Sequence, residues 1–327
     1  MPTALSTPNI ALIKYWGNRN NELRLPKADS LSITLDQPSI SADVQASDTF
    51  TVQSFNVDGT PAPQSEKSIA RLQKHYALAR RICPGLPEAV SIIIRSEIPP
   101  AIGIASSAAV FSCLAEAYAG LVEKKAPLSR TDISIIARLG SGSAARSIYG
   151  GFVALKNSEG DNIRSAYAEQ IAPESHWALH DIIIVPSTEE KKVGSTEGHA
   201  MAQTSPLFEH RIKEIPRRMQ ECIDAIQKKD FEKLQHVSEE DSLNMHRVME
   251  TQTPSLQYLS SETHRIIREI ESLRKSDHLE VLYTMDAGPT VHLFCTTEAK
   301  SAIEEYAEAQ KNCVIFKAKI GKGSQVL

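Results

Sequence analysis

Four places in this 327-residue chain carry residue types and spacings that could do chemistry. The apolar run Ile10-Ala-Leu-Ile13 ends abruptly in Lys14-Tyr15-Trp16-Gly17. A lysine closing a buried strand is costly unless its head meets an anion or reaches water along its own stem, and both outcomes are open here. In Pro99-Pro-Ala-Ile-Gly-Ile-Ala-Ser-Ser107 the prolines hold the entry extended and Gly103 lets the backbone approach a ligand. Ser106 and Ser107 are good helix N-caps. Helix amides and the positive helix end would then face an anion, although an ordinary capped helix reads the same way. Neither Gly-x4-Gly-Lys nor Gly-x-Gly-x-x-Gly is present. The segment Leu139 to Phe152 sets four glycines and three serines around Arg146, whose planar fork suits a carboxylate or phosphate. A flexible linker would not carry Ile148, Tyr149 and Phe152 at these spacings. Asp286 precedes Ala287-Gly288-Pro289, by itself a turn-forming context.

The elements that must position these groups follow from periodicity. Alternating Leu31, Ile33 and Leu35 predict a strand returning after the Asn18–Asn21 turn, with further strands at 39–46, 49–55 and 89–96. Apolar spacing predicts a helix over 65–83, a small-residue helix from the serine loop to about Leu121, and another starting at Ser129 with Asp132 in an acidic variant of the capping box. Strands follow at 152–155 and 181–186, then a polar stretch over 187–205 reads as a loop over a site or a domain boundary. The pattern from Leu207 to about Met249 is helical, as is Thr263 to Leu273; strand, turn and strand occupy 279–295, and a helix and last strand complete the chain.

Composition excludes several classes. The length suits two domains, and a net charge of −4 with 23% charged residues gives no surface for nucleic acid. The start lacks the basic and apolar regions of a signal peptide, and no apolar run approaches the roughly 20 residues of a membrane helix, so the expected setting is the cytoplasm. Five scattered cysteines, Cys83, Cys113, Cys222, Cys295 and Cys313, contain no Cys-x-x-Cys pair and are expected to be buried hydrophobes rather than disulfide or zinc ligands.

Taken in order, Asn9-Ile-Ala-Leu-Ile-Lys-Tyr-Trp-Gly17, the Pro99 to Ala109 loop, Gly140 to Phe152 and Met285-Asp-Ala-Gly-Pro289 resemble the mevalonate diphosphate decarboxylase family of the GHMP small-molecule kinases. The resemblance spans essentially the whole chain. It implies an α+β GHMP kinase fold, with a domain similar to domain 2 of ribosomal protein S5 over residues 1–186 and a ferredoxin-like domain over residues 187–327. It also implies a homodimer, ATP and Mg2+, and a phosphorylated mevalonate whose tertiary 3-hydroxyl is phosphorylated before phosphate and CO2 leave. By the same resemblance Gly103, Ala105, Ser106 and Ser107 hold the ATP phosphates, the Ser107 hydroxyl reaches Mg2+, and Ser96 lies near the base. Asp286 accepts or orients the hydroxyl proton with Lys14 keeping it ionised, and Arg146 anchors the C1 carboxylate beside Asn9. Relatives that stop at phosphorylation lack the Asp and Lys pair.

Two departures bear on the substrate. Diphosphate-using members read Ile-Lys-Tyr-Trp-Gly-Lys, where this chain has Asn18, and carry an arginine after a mid-chain Gly-Met, where this chain offers His199 and Gln203. The expectation is therefore mevalonate 5-phosphate, giving isopentenyl phosphate as in the phosphomevalonate decarboxylase branch. Tyr15, Ser141, Ser143 and His199 would hold the single phosphate, with Asn18 beside them. Arg19 or Lys192 could instead replace the missing cations, which keeps mevalonate 5-diphosphate as the alternative and a GHMP kinase without decarboxylation behind it. A silent ligand sensor would have no need of the acid and base pair.

Overall fold

A computed structural model describes residues 2–98, 106–123, 126–186 and 194–327. The chain begins with β1 (Thr3–Ser6), β2 (Asn9–Ile13), the short β3 (Asn18–Asn20) and β4 (Leu25–Pro26), β5 (Ser30–Thr34), β6 (Ile40–Ser47) and β7 (Thr51–Asn56). Then come α1 (Glu66–Ile82), β8 (Ala89–Ser96), α2 (Ser106–Val122), α3 (Arg130–Gly140), α4 (Ala144–Ser147), β9 (Phe152–Asn157), β10 (Ala166–Ala172) and β11 (Leu179–Val185). The remainder is α5 (Ser195–Met201), α6 (Phe208–Lys228), α7 (Phe231–Thr251), α8 (Ser261–Asp277), β12 (Val281–Thr284), β13 (Val291–Thr296), α9 (Lys300–Glu308), β14 (Val314–Lys319) and β15 (Gln325–Val326). This is the expected α+β class.

Three sheets carry the fold, in the orders β15-β1-β6-β8-β7, β10-β9-β5-β2 and β12-β13-β11-β14, with β3 and β4 as a separate ribbon. β7 lies parallel to β8 because α1 supplies the crossover that a parallel neighbour requires; the other pairings are antiparallel. β2 and β5 are buried along their whole length, since both faces are covered, and Ile10 pairs with Ile33 in register. α2 is apolar nearly all round, as a helix enclosed on every side must be. One core cluster runs from Ile10, Ile33, Leu114 and Tyr118 to Ile215, Met219, Phe231 and Leu282. The N-terminal sheets and α6–α7 therefore share apolar packing, and the site they flank rests on it. A second cluster, including Ile184, Ile266, Ile270, Tyr283 and Leu293, packs α8 on the C-terminal sheet.

Differences from the sequence reading have local causes. The helical stretch from Leu207 is two helices: Lys229 takes a left-handed φ of 56° and the Asp230 side chain caps α7 by accepting from Lys233 N–H. β10 was not predicted because its buried positions, Ala166, Ala168 and Ala172, are alanines too small to give an apolar alternation. α5 lies in the stretch read as a loop. β11 pairs with β13 and β14, so the strand just before the expected division after residue 186 joins the C-terminal sheet. All five cysteines are free and four are buried. Among the described residues no helix is long and apolar enough to cross a membrane.

β9 starts at a tight junction where Gly151, at φ 75°, donates to Gly321 O and accepts from Thr34 N–H, both at 2.9 Å. A Cβ there would stand 2.2 Å from Ala172 O, a backbone atom that cannot swing away. Gly151→Ala is expected to cost about 2 kcal/mol or more of unfolding free energy, measured by denaturant titration.

Candidate active site

The peptide of Lys14 is held on both sides as the chain leaves β2. Its N–H donates to Asp241 Oδ2 at 2.6 Å and its carbonyl accepts from Arg211 Nη2 at 3.1 Å. Arg211, on α6, meets Asp241, on α7, through two 2.9 Å bonds, and Arg218 Nη1 adds a third to Asp241 Oδ1 at 3.1 Å. The Arg211 and Asp241 side chains are 1% and 0% exposed, so their charges are satisfied by each other, by Arg218 and Asn244, and by the Lys14 backbone.

The clamp aims the lysine. Lys14 Nζ donates to Asp286 Oδ1 at 2.7 Å, with the lysine buried and the aspartate about one third exposed to a cavity. Asp286 follows β12 in a turn where Gly288 N–H donates to its carbonyl at 2.7 Å, and Ser242 Oγ accepts from Met285 N–H at 3.1 Å. Burial pushes the Lys14 ammonium below the ordinary lysine range, and Asp286 only partly offsets this. Burial also pushes the Asp286 carboxyl up, but the charge and hydrogen bond of Lys14 outweigh it and leave the carboxyl below the ordinary carboxylate value. Nearby His246 is held neutral by burial and by the Lys14 charge, at about 4.

Arg146, on α4, lines the same cavity and rests on β2 and β5. It is 2% exposed and rests on neutral acceptors: Nε on Ser32 Oγ at 2.9 Å and Asn9 Oδ1 at 3.2 Å, Nη1 on Ser30 Oγ at 2.7 Å. Among the described residues no carboxylate lies within ion-pair distance of it, and burial lowers it to about 10. A buried guanidinium so arranged is a receptor for a small anion. Asn9 acts through Arg146, and its own amide donates to Ser143 O and Ser147 Oγ.

The cavity has a volume of about 720 Å³ and is lined by Ser106, Ser107, Ser141, Ser143, Tyr15 and His199 together with Lys14, Arg146 and Asp286. A ladder of hydroxyls crosses it, Ser107 to Ser141 at 3.1 Å and Ser141 to Ser143 at 3.3 Å. Ser106, Ser107 and Arg71 also line a second cavity of about 290 Å³ that reaches Ser96, Asn56, Phe55 and Val110. Gly103 and Ala105 lie outside the described residues. Among the described residues no cluster of three His, Cys, Asp or Glu side chains could hold a metal by itself.

His199, on α5, stacks on Tyr15 and Trp16 with centroids 4.3 and 4.4 Å away. Its Nδ1 accepts from Gly17 N–H at 3.0 Å, which assigns the proton to Nε2, and burial holds the ring neutral at about 3. Asn18 does not line the cavity: its oxygen accepts from the Tyr15 hydroxyl and its nitrogen donates to Asn21 at 3.0 Å. Arg19 turns away to Asn157, Ser158 O and Asp161, and Lys192 lies outside the described residues.

Sequence reasoning missed Arg24, Lys67 and Arg71, which also line the cavity, and the pair Arg211–Asp241. Lys67 and Arg71 stand four apart on one face of α1, a spacing that also describes a solvated face. Arg24 interrupts Leu23 and Leu25, the one signal in its neighbourhood. With them the lining holds Lys14, Arg24, Lys67, Arg71 and Arg146 against Asp286 and Glu197, an excess of positive charge suited to polyanions.

Residues 6–168 match a family described as the diphosphomevalonate decarboxylase-like N-terminal domain, and residues 181–321 match the mevalonate 5-diphosphate decarboxylase C-terminal domain. Diphosphomevalonate decarboxylase of Ganoderma lucidum is 35% identical over 322 residues, covering 93% of this chain and 80% of the relative. The human diphosphomevalonate decarboxylase is 36% identical over 308 residues, covering 89% and 76%. Among solved structures, MDDEF in complex with MVAPP, AMPPCP and magnesium superposes with a TM-score of 0.88 at 28% identity, covering 100% of this chain and 98% of that one. Mevalonate diphosphate decarboxylase from Staphylococcus aureus gives 0.88 at 30% identity, covering 100% and 97%. These are structures of the GHMP kinase fold, as expected.

These matches overturn the expectation of mevalonate 5-phosphate as substrate and of the phosphomevalonate decarboxylase branch, because the relatives carry the diphosphate name. The cations missing at Asn18 and in the His199 to Gln203 segment were counted position by position, without those that other elements bring to the cavity. Asn18 removes a positive charge from its own position, while Arg24, six residues on, faces the cavity.

Asp241→Asn leaves the buried Arg211 and Arg218 without their shared carboxylate. It is expected to cost about 3–5 kcal/mol of stability in denaturant unfolding, and to lower kcat in the fraction that still folds, because the Lys14 peptide loses its charged clamp.

Proposed function

Because the chain belongs to the diphosphomevalonate decarboxylase family, we propose that it converts mevalonate 5-diphosphate and ATP into isopentenyl diphosphate, CO2, ADP and phosphate. The observation that carries this reading is the Lys14–Asp286 pair facing Arg146 across one cationic cavity.

Magnesium ATP, when bound, supplies the phosphoryl group and offsets part of its charge. The residues present fit that role. α2 starts at Ser106 and the Ser107 hydroxyl can join the ion's shell, while the second cavity, with Ser96, Asn56 and apolar walls, suits a nucleoside. Gly103 and Ala105 belong to the same phosphate loop by resemblance. Asp286, ionised because Lys14 faces it, takes the proton of the substrate 3-hydroxyl as that oxygen bonds to the terminal phosphorus and the bridging bond to ADP breaks. Lys14 stays protonated and steadies the charge that collects between oxygen and phosphorus.

In the second step the C3–O bond breaks to release phosphate, the C1–C2 electrons form the C2–C3 double bond, and C1 leaves as CO2. Arg146 sets the direction of that cleavage by holding the carboxylate on a guanidinium that Ser30, Ser32 and Asn9 keep rigid. Tyr15, Ser141, Ser143 and the Nε2–H of neutral His199 face the phosphate tail, and Asn18 supports Tyr15 from behind. An N-terminal ATP- and substrate-binding domain, a C-terminal domain beginning near β11, a homodimer and a cytoplasmic setting complete the proposal, on the resemblance alone.

The deciding experiment follows ADP and CO2 with mevalonate 5-diphosphate: one of each per turnover is expected, and ADP without CO2 would leave only a kinase. Asp286→Asn is expected to lower kcat by about 10²–10⁴-fold with little change in substrate binding. The pH profile of kcat/KM is expected to fall on the acid side only below pH 3.8, within the range where the fold survives, and on the alkaline side before pH 10.5. The signs follow from a carboxylate that holds its charge to lower pH and a lysine that loses its proton at lower pH than free in water. Lys14→Met removes the opposing charge, so the acid limb of the residual activity moves to higher pH.

A further inference from the structure

We propose that Arg24 is the residue that selects a diphosphate over a monophosphate tail. The inference rests on the decarboxylase reading and names the part of the site that reads the tail. Arg24 stands in the turn between β3 and β4 and lines the main cavity. Its φ of 50° is left-handed, a conformation that costs a non-glycine residue about 1–2 kcal/mol and persists where the surroundings hold it.

Three of the other four cations of the cavity are already engaged, and the fourth is exposed to water. Lys14 is bonded to Asp286, Arg146 to Ser30, Ser32 and Asn9, and Arg71 Nη2 to Gly140 O at 2.7 Å. Lys67, one turn before Arg71 on α1, lines the same cavity without a partner among the described residues, but it is exposed, so water satisfies its ammonium. Among the described residues Arg24 alone of the three arginines in the lining has a guanidinium with neither a hydrogen-bond nor an ion-pair partner, and its strongest electrostatic neighbour is Tyr15, itself a lining residue. A partly buried guanidinium without an acid is an incomplete pair. Its planar fork can accept two oxygens of one phosphate, or one from each of two.

The opposite limb of the ribbon explains why the charge is needed there. Asn18 is neutral and both ends of its amide are spent, on the Tyr15 hydroxyl and on Asn21. The ribbon therefore offers its cation from the turn at Arg24 instead of the strand at Asn18.

Arg24→Asn removes the charge while tolerating the left-handed backbone. The expected result is a KM for mevalonate 5-diphosphate raised about 10–100-fold with a smaller change in kcat, as for loss of a charge-assisted contact made in ground and transition states alike. Calorimetric affinity for mevalonate 5-phosphate is expected to change less than about threefold. Adding Asn18→Lys to Arg24→Asn is expected to restore most of the diphosphate affinity, which a merely structural role for Arg24 would not allow. An unchanged KM in Arg24→Asn, an equal loss of affinity for both tails, or no rescue by Asn18→Lys would overturn the assignment. A wild-type protein that releases no CO2 from mevalonate 5-diphosphate would sink the decarboxylase reading, whatever Arg24 does.

Discussion

The buried pair Arg211–Asp241 is the constraint on which the site depends. Both partners come from the helices α6 and α7, yet what they grip is the peptide of Lys14, at the end of strand β2, which packs against both helices. Neither charge reaches water, so the pair is tolerable only while its geometry is complete, and the Lys14 backbone is part of that geometry. Lys14 in turn holds Asp286 ionised. A chain of charges thus runs from the helix pair through the strand end to the turn after β12, and each link is stable because the next is in place.

The cavity around this chain is built on the same logic with one link left open. Arg146 is surrounded by hydroxyls and an amide, which fix its plane without neutralising it, and Arg24 has no partner at all among the described residues. Positive charge is therefore concentrated where the hydroxyl ladder of Ser107, Ser141 and Ser143 joins two cavities. A neutral ring completes the wall: burial keeps His199 uncharged, so it contributes a donor and shape without adding positive charge to the site.

Much of this was legible. β2, α1, β8 and the start of α3 fall where apolar spacing and capping residues place them, because those elements are amphipathic or wholly buried and their periodicity survives in the sequence. β10 and α5 were missed for the converse reason: an edge strand whose buried positions are alanines and a short helix in a polar segment carry little pattern. Lys14, Arg146, Asp286 and the serines do converge on one cavity. Asn18 does not, and the substrate inference drawn from it and from the His199 to Gln203 segment went wrong because charge at a site is a sum over space, while motifs report single positions.

The amino-acid order by itself determined which residue types were available and the local elements that carry them: a strand ending in lysine, a helix beginning in serines, an arginine among glycines and an aspartate in a turn. Backbone propensity and apolar period act over a few residues and can be read there. Only the tertiary structure decided that Lys14 meets Asp286 across 272 positions and is clamped by Asp241 across 227, and that Arg24 lines the cavity while Asn18 does not. Coulomb energy and desolvation depend on distance and burial, which no spacing along the chain records.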